Sequence, residues 1–66
     1  MTLTVNGEPS PLAPPLTIAE LLGALDAPPR GVAVAVDGEV VPRSAWPAQT
    51  LRDGQVVEVL TAVQGG

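Results

Sequence analysis

Two Asx-Gly dipeptides constrain this chain more than any other feature of its sequence. Asn6-Gly7 and Asp37-Gly38 each suit a two-residue type I′ turn, whose central residues both need φ > 0. Turns of this kind commit their flanks to antiparallel hairpins. Before the first, Thr2-Leu3-Thr4-Val5 alternates polar and apolar, the period-two pattern of a half-buried strand. The strand returning from Glu8 runs into Pro9, Pro11, Pro14 and Pro15. Proline cannot donate to a ladder, so this strand is short and belongs at a sheet edge. Before the second turn, Val32-Ala33-Val34-Ala35-Val36 sets large residues on one face and small ones on the other, and Glu39-Val40-Val41 returns until Pro42. A further turn is expected at Leu51-Arg52-Asp53-Gly54, followed by a last strand from Val56 to Thr61.

Between the hairpins the period changes. Ile18, Leu21, Leu22 and Leu25 recur at i, i+3, i+4 and i+7, which predicts one amphipathic helix over 16–26. Thr17 and Glu20 form a capping box, and Leu16 and Leu21 are placed for a hydrophobic staple across the first turn. Pro28-Pro29 is expected to stop the helix, and Gly31 to help the chain reverse. Arg43 to Thr50 has no clear period and reads as a loop or single helical turn. Trp46, the lone tryptophan, is expected to plug one end of the core. One helix can cover one face of four or five short strands, an α+β arrangement. If the last strand pairs with the first, the greasiest strands are central and the proline-bearing ones lie at the edges. That is the β-grasp: a four- to five-stranded mixed sheet packed on one helix, expected over 1–61, with a flexible tail over 62–66.

Size and composition exclude most functions. A chain of 66 residues buries only about 60% of the surface its unfolded form exposes, and its core supplies no more than about 3–5 kcal/mol of net stability. A deep substrate cavity would remove much of that core. The apolar share of 45% is too high for a disordered tail. With no Cys and no His, zinc fingers, haem sites and disulfide frameworks are excluded. Three arginines, no lysine and seven acids give a net charge of −4. Such a balance lacks the basic footprint of a nucleic-acid binder and is repelled by an anionic membrane surface. The longest apolar run, Val32 to Val36, is far short of the ~20 residues that span a bilayer. No basic n-region precedes Leu3, so no signal peptide is expected and the cytoplasm is the expected compartment. Nucleophilic catalysis lacks Cys, Lys and a His partner for Ser. The carboxylates, from Glu8 to Glu58, sit mostly beside turns or at the helix start, as solvated charges and caps do. No glycine belongs to a phosphate-binding loop.

The informative segment is Ala62-Val63-Gln64-Gly65-Gly66. Glycine packs no side chain and loses the most entropy when ordered, so a terminal pair is odd for a structural purpose and reads either as a frayed end or as a functional tail. A side-chain-free extended terminus can thread a narrow channel. Five extended residues reach about 16–18 Å, enough to present a carboxylate inside a partner's pocket.

Val5-Asn6-Gly7-Glu8, Asp37-Gly38-Glu39-Val40-Val41-Pro42-Arg43-Ser44 with Trp46, Leu51 to Gly54, and Thr61 to Gly66 together resemble the ThiS family, the ubiquitin-like sulfur carriers of thiamine biosynthesis. The resemblance spans the whole chain. The diglycine is common to all ubiquitin-like carriers, whereas the GEVVPRS-x-W segment joined to a terminal AVQGG is more specific. Asp37 stands where the family often has Asn, and Gln55 where an acid is common, both outside the tail. The resemblance implies that the chain is a carrier and not an enzyme. It implies that an E1-like, ThiF-type adenylyltransferase uses ATP and Mg²⁺ to convert the Gly66 carboxylate into an acyl-adenylate. It further implies that sulfur from a persulfide donor, such as a cysteine desulfurase, replaces AMP to leave a thiocarboxylate. A ThiG-type thiazole synthase then takes that sulfur, and the carrier binds no cofactor itself. The residues agree on one point: a chain without Cys has the terminal carboxylate as its attachment site for sulfur. Gly65, Gln64 and Val63 would thread the partner's active site.

Strand alternation offers a docking face. With Glu58 toward solvent, Val56 and Leu60 share its side, and Thr2, Thr4, Ala33 and Ala35 extend it if Leu3, Val5 and the valines of 32–36 point at the helix. This low-charge face, with Leu60 nearest the tail, is expected to dock on the activating enzyme and the synthase. Other readings are a MoaD-like small subunit of molybdopterin synthase, a modifier joined to other proteins through Gly66, and a plain interaction module.

Overall fold

The computed structural model describes residues 3–28 and 30–61. In chain order the elements are β1 (Thr4–Val5), β2 (Glu8–Pro9), β3 (Leu16–Thr17), α1 (Ile18–Ala24), β4 (Val32–Val36), β5 (Glu39–Val41), a 3-10 turn (Arg43–Ala45), β6 (Thr50–Leu51) and β7 (Val56–Thr61). Both Asx-Gly turns form. Asn6 and Asp37 each have φ 51°, and Gly7 and Gly38 follow at 81° and 85°. Val5 therefore lies opposite Glu8, and Val36 opposite Glu39. β7 returns between the two hairpins, parallel to β1 and antiparallel to β4. The resulting order, β2-β1-β7-β4-β5, puts Pro9 on an edge strand, where its missing N–H disturbs no interior ladder. This five-stranded mixed sheet with a single helix is the expected β-grasp.

Alternation along the strands selects the face that meets α1. Leu3, Val5, Val34, Val36 and Val57 are buried with Ile18, Leu21 and Leu22 of the helix in one cluster. Leu16 and Leu51 join that cluster; they are partners across a two-stranded ladder of β3 and β6. That ladder has no counterpart in the sequence reading, which placed Leu16 in the helix. Two residues are too few to show a period. Trp46 is half-buried against the core, and its indole N–H donates to the Val41 carbonyl at 3.0 Å. The Arg43 guanidinium lies 6.0 Å from the ring centroid, within cation–π range.

The helix starts as expected and ends earlier. Thr17 is the N-cap: its hydroxyl accepts from Glu20 N–H at 3.1 Å, and Glu20 Oε1 accepts from Thr17 N–H at 2.8 Å. The remaining first-turn donors are satisfied by the loop ahead of β6, Ile18 N–H by Gln49 O and Ala19 N–H by Trp46 O. At the other end the helix stops at Ala24, before either proline. Asp26 adopts φ 59°, its N–H donates to Gly23 O, and Ala27 N–H donates to Leu22 O. These paired bonds are a Schellman motif with aspartate in the left-handed position that glycine usually fills. Leu25 is consequently the C-cap and is 36% exposed, so it is not part of the buried stripe the periodicity assigned to it.

Opposite changes in stability are expected at the two helix ends. Thr17→Ala removes the cap and should cost about 1 kcal/mol, lowering Tm by about 4–8 °C. Asp26→Gly relieves the left-handed strain and should raise stability by about 0.5 kcal/mol. Calorimetric melts of both variants check the pair of signs.

Candidate functional site

β7 is central in the sheet and is followed in sequence by residues 62–66. Its backbone is engaged on both sides. Toward β4, its register runs from Val57 opposite Val36 to Thr61 opposite Val32. At its start Asp37 bonds Val56 twice: the Asp37 N–H donates to Val56 O at 2.7 Å, and Asp37 Oδ1 accepts from Val56 N–H at 2.9 Å. Toward β1, Thr4 N–H donates to Gln55 O and Asn6 N–H to Val57 O. The Asn6 side chain continues along that side, Oδ1 accepting from Val59 N–H at 2.8 Å and Nδ2 donating to Val59 O at 3.1 Å. Both Asx residues thus shape a hairpin and also hold β7. The sequence reading had assigned them only the turns.

The outer face of the sheet follows from the register, since paired residues share a face. Ala33 is opposite Leu60, Ala35 opposite both Glu58 and Val40, and Thr4 opposite both Val56 and Pro9. Val56, Glu58 and Leu60 therefore do lie together with Thr4, Ala33 and Ala35; Thr2 lies outside the described residues. Glu58 is the single charge among these paired positions. Among the described residues, Val40, Leu60 and Val56 are the most exposed large apolar side chains, at 76%, 64% and 49%. All three sit on this face, away from α1. Val40 escaped the sequence reading, although a two-residue turn with Val36 opposite Glu39 already places Val40 beside Ala35.

Among the described residues, nothing comparable to an enzymatic centre accompanies this face. A cleft of about 810 Å³ is lined by Ser10, Pro11, Leu12, Pro14, Thr50 and Arg52, among others. Of its alcohols, Ser10 Oγ is bonded to the backbone of Leu12. Among the described residues no cluster of acids, His or Cys is arranged to hold a metal ion, and no helix is long and apolar enough to cross a membrane. Gly66, Gly65, Gln64 and Val63 lie outside the described residues.

Comparison with known proteins supplies the identity. The ThiS family model matches residues 3–66. A sulfur carrier protein ThiS from Thermus thermophilus is 42% identical over 62 residues, covering 94% of this chain and 95% of the relative. The crystal structure of the thiamine biosynthesis protein ThiS from Geobacter metallireducens superposes with a TM-score of 0.81 at 46% identity, covering both chains completely. A thiazole synthase from Paramagnetospirillum magneticum is 35% identical over all 66 residues, but the chain spans only 20% of that protein's length. With its β-grasp sheet, single capped helix and terminal diglycine, the chain belongs to the ThiS family of sulfur carriers in thiamine biosynthesis.

Proposed function

We propose that this carrier bears its sulfur on the Gly66 carboxylate, presented by residues 62–66 beyond a sheet that serves as the docking platform. A carboxylate is a poor electrophile, so an E1-like, ThiF-type adenylyltransferase first joins it to AMP from ATP with Mg²⁺, releasing pyrophosphate. Persulfide sulfur, supplied by a donor such as a cysteine desulfurase, then forms the carbon–sulfur bond as AMP leaves. Reduction of the S–S bond by a thiol frees the thiocarboxylate. A ThiG-type thiazole synthase accepts that sulfur in building the thiazole. ATP and Mg²⁺ belong to the activating enzyme, the carrier holds no cofactor of its own, and the exchange takes place in the cytoplasm.

The observation that carries this reading is the placement of β7. The strand holding Val56, Glu58 and Leu60 is central in the sheet and reaches Thr61 immediately before Ala62 to Gly66. Val63, Gln64 and Gly65 are proposed to thread the partner's channel while Val56, Leu60 and Val40 rest on its surface. Thiazole as the destination is supported by the thiazole synthase of Paramagnetospirillum magneticum, within which a segment similar to this chain occurs. A molybdopterin acceptor has no observation in its favour here.

Thiazole phosphate formation in a reconstituted mixture of carrier, adenylyltransferase, sulfur donor and synthase tests the role. Full-length chain should support turnover, and removal of Gly66 should abolish it; equal yields from both would refute the assignment. Docking has its own prediction. Burying a leucine is worth about 1.5–3 kcal/mol, so Leu60→Arg should raise the KM of the adenylyltransferase for the carrier about 10- to 100-fold. Leu12→Arg, at an exposed position off this face, should leave it unchanged.

A further inference from the structure

We infer that Asn6 is a positioning residue for the reaction at Gly66, acting through β7. The inference rests on the carrier reading above and adds a specific device to it. β1 and β7 run parallel, and their backbone pairing extends only through Thr4 opposite Val56 and Val5 opposite Val57. At Asn6-Gly7 the first strand reverses into β2, while β7 runs on to Thr61. From Val59 onward, β7 has lost its partner strand on that side. A parallel ladder engages every second residue of a strand, so the groups due for pairing after Val57 are the N–H and carbonyl of Val59. Those are the two groups that the Asn6 side chain bonds, at 2.8 and 3.1 Å.

A carboxamide carries the same donor and acceptor as a peptide unit. Asn6 therefore supplies one more rung of the ladder after its own backbone has turned away. Only one orientation of the amide satisfies both groups, with Oδ1 toward the N–H. The rung spans 53 positions of sequence and ties the first hairpin to the last three residues of β7. On the opposite side, β4 reaches Thr61 through its pairing with Val32. With both edges held to Val59, the direction in which the chain leaves Thr61 is fixed relative to the docking face. Loss of the rung would leave Val59 to Thr61 held from β4 alone; Leu60 keeps its pairing with Ala33 of β4, so the docking residues Val56, Glu58 and Leu60 stay in place. The body would still dock, but the carboxylate would reach the adenylylation centre in the right place less often.

Asn6→Gly is the discriminating variant, because glycine keeps the φ of 51° without strain and removes only the amide. Amide hydrogen exchange and the kinetics of pyrophosphate release by the adenylyltransferase with ATP and Mg²⁺ are measured together. The expected result is exchange at Val59 accelerated about tenfold beyond any change at Val34. Adenylation kcat should fall severalfold while KM is nearly unchanged. Asn6→Asp keeps the acceptor for Val59 N–H but turns a carboxylate oxygen toward the Val59 carbonyl, so it should fall between wild type and Asn6→Gly; it also decides the matter should the glycine variant fail to fold. An unchanged kcat overturns the inference, as does a loss accompanied by uniform acceleration throughout the sheet or confined to KM. Failure of the wild-type chain to be adenylated would remove the carrier reading and the positioning role with it, while local exchange at Val59 would still register the clamp.

Discussion

The backbone of β7 is occupied along both edges, and the rest of the molecule is arranged around that condition. β4 pairs with it on one side; β1 and then the Asn6 amide pair with it on the other, and Asp37 secures its first residue. A strand so held has its faces decided. Val57 points into the core and Val59 packs against it, which sends Val56, Glu58 and Leu60 outward. The helix covers the inner face and leaves the outer one bare. Hydrogen bonding to a central strand thereby settles where the core lies, which apolar residues remain exposed and where the chain leaves the sheet.

A domain of this size has one helix with which to bury one face, and its interior is filled by aliphatic side chains with no buried polar group among the described residues. Reactive machinery would have to be cut out of that small core, at the expense of stability that a 66-residue chain has little of. The proposed placement of the chemistry at the end of the chain avoids the conflict. On that proposal the folded part needs only to be recognised and to aim its terminus, and an activating enzyme would supply the dry, charged environment that acyl transfer requires. Exposed Val40, Val56 and Leu60 make sense in the same terms, since an apolar patch on so small a surface marks a place for a partner.

Much of this was legible before any coordinates because the controlling features are local. Asn6-Gly7 and Asp37-Gly38 name their turn type, Thr17 and Glu20 mark the helix start three residues apart, and alternation in Val32–Val36 gives the inner face. The failures are where control is not local or where a residue acts out of type. The helix stops at Ala24 because Asp26 takes a backbone conformation expected of glycine, so the apolar period ran one residue too far, to Leu25. β3 and β6 are ordered by one another although they lie far apart in the chain, with no period in either to announce it. The second role of Asn6 depends on Val59, far along the sequence, and a turn signal is silent about it. Of the site, the outer-face residues followed from alternation, whereas the proposal of Gly66 as the reacting residue rests on the family resemblance and the lack of any side chain suited to bear sulfur.

The most direct test of the account is the intact mass of the full chain after incubation with its adenylyltransferase, ATP, Mg²⁺ and a persulfide source, followed by fragmentation to locate any change. The account predicts the gain of one oxygen replaced by sulfur, confined to the fragment ending in Gly66. An unchanged mass in the presence of active enzymes, or sulfur found on any fragment lacking Gly66, would contradict it.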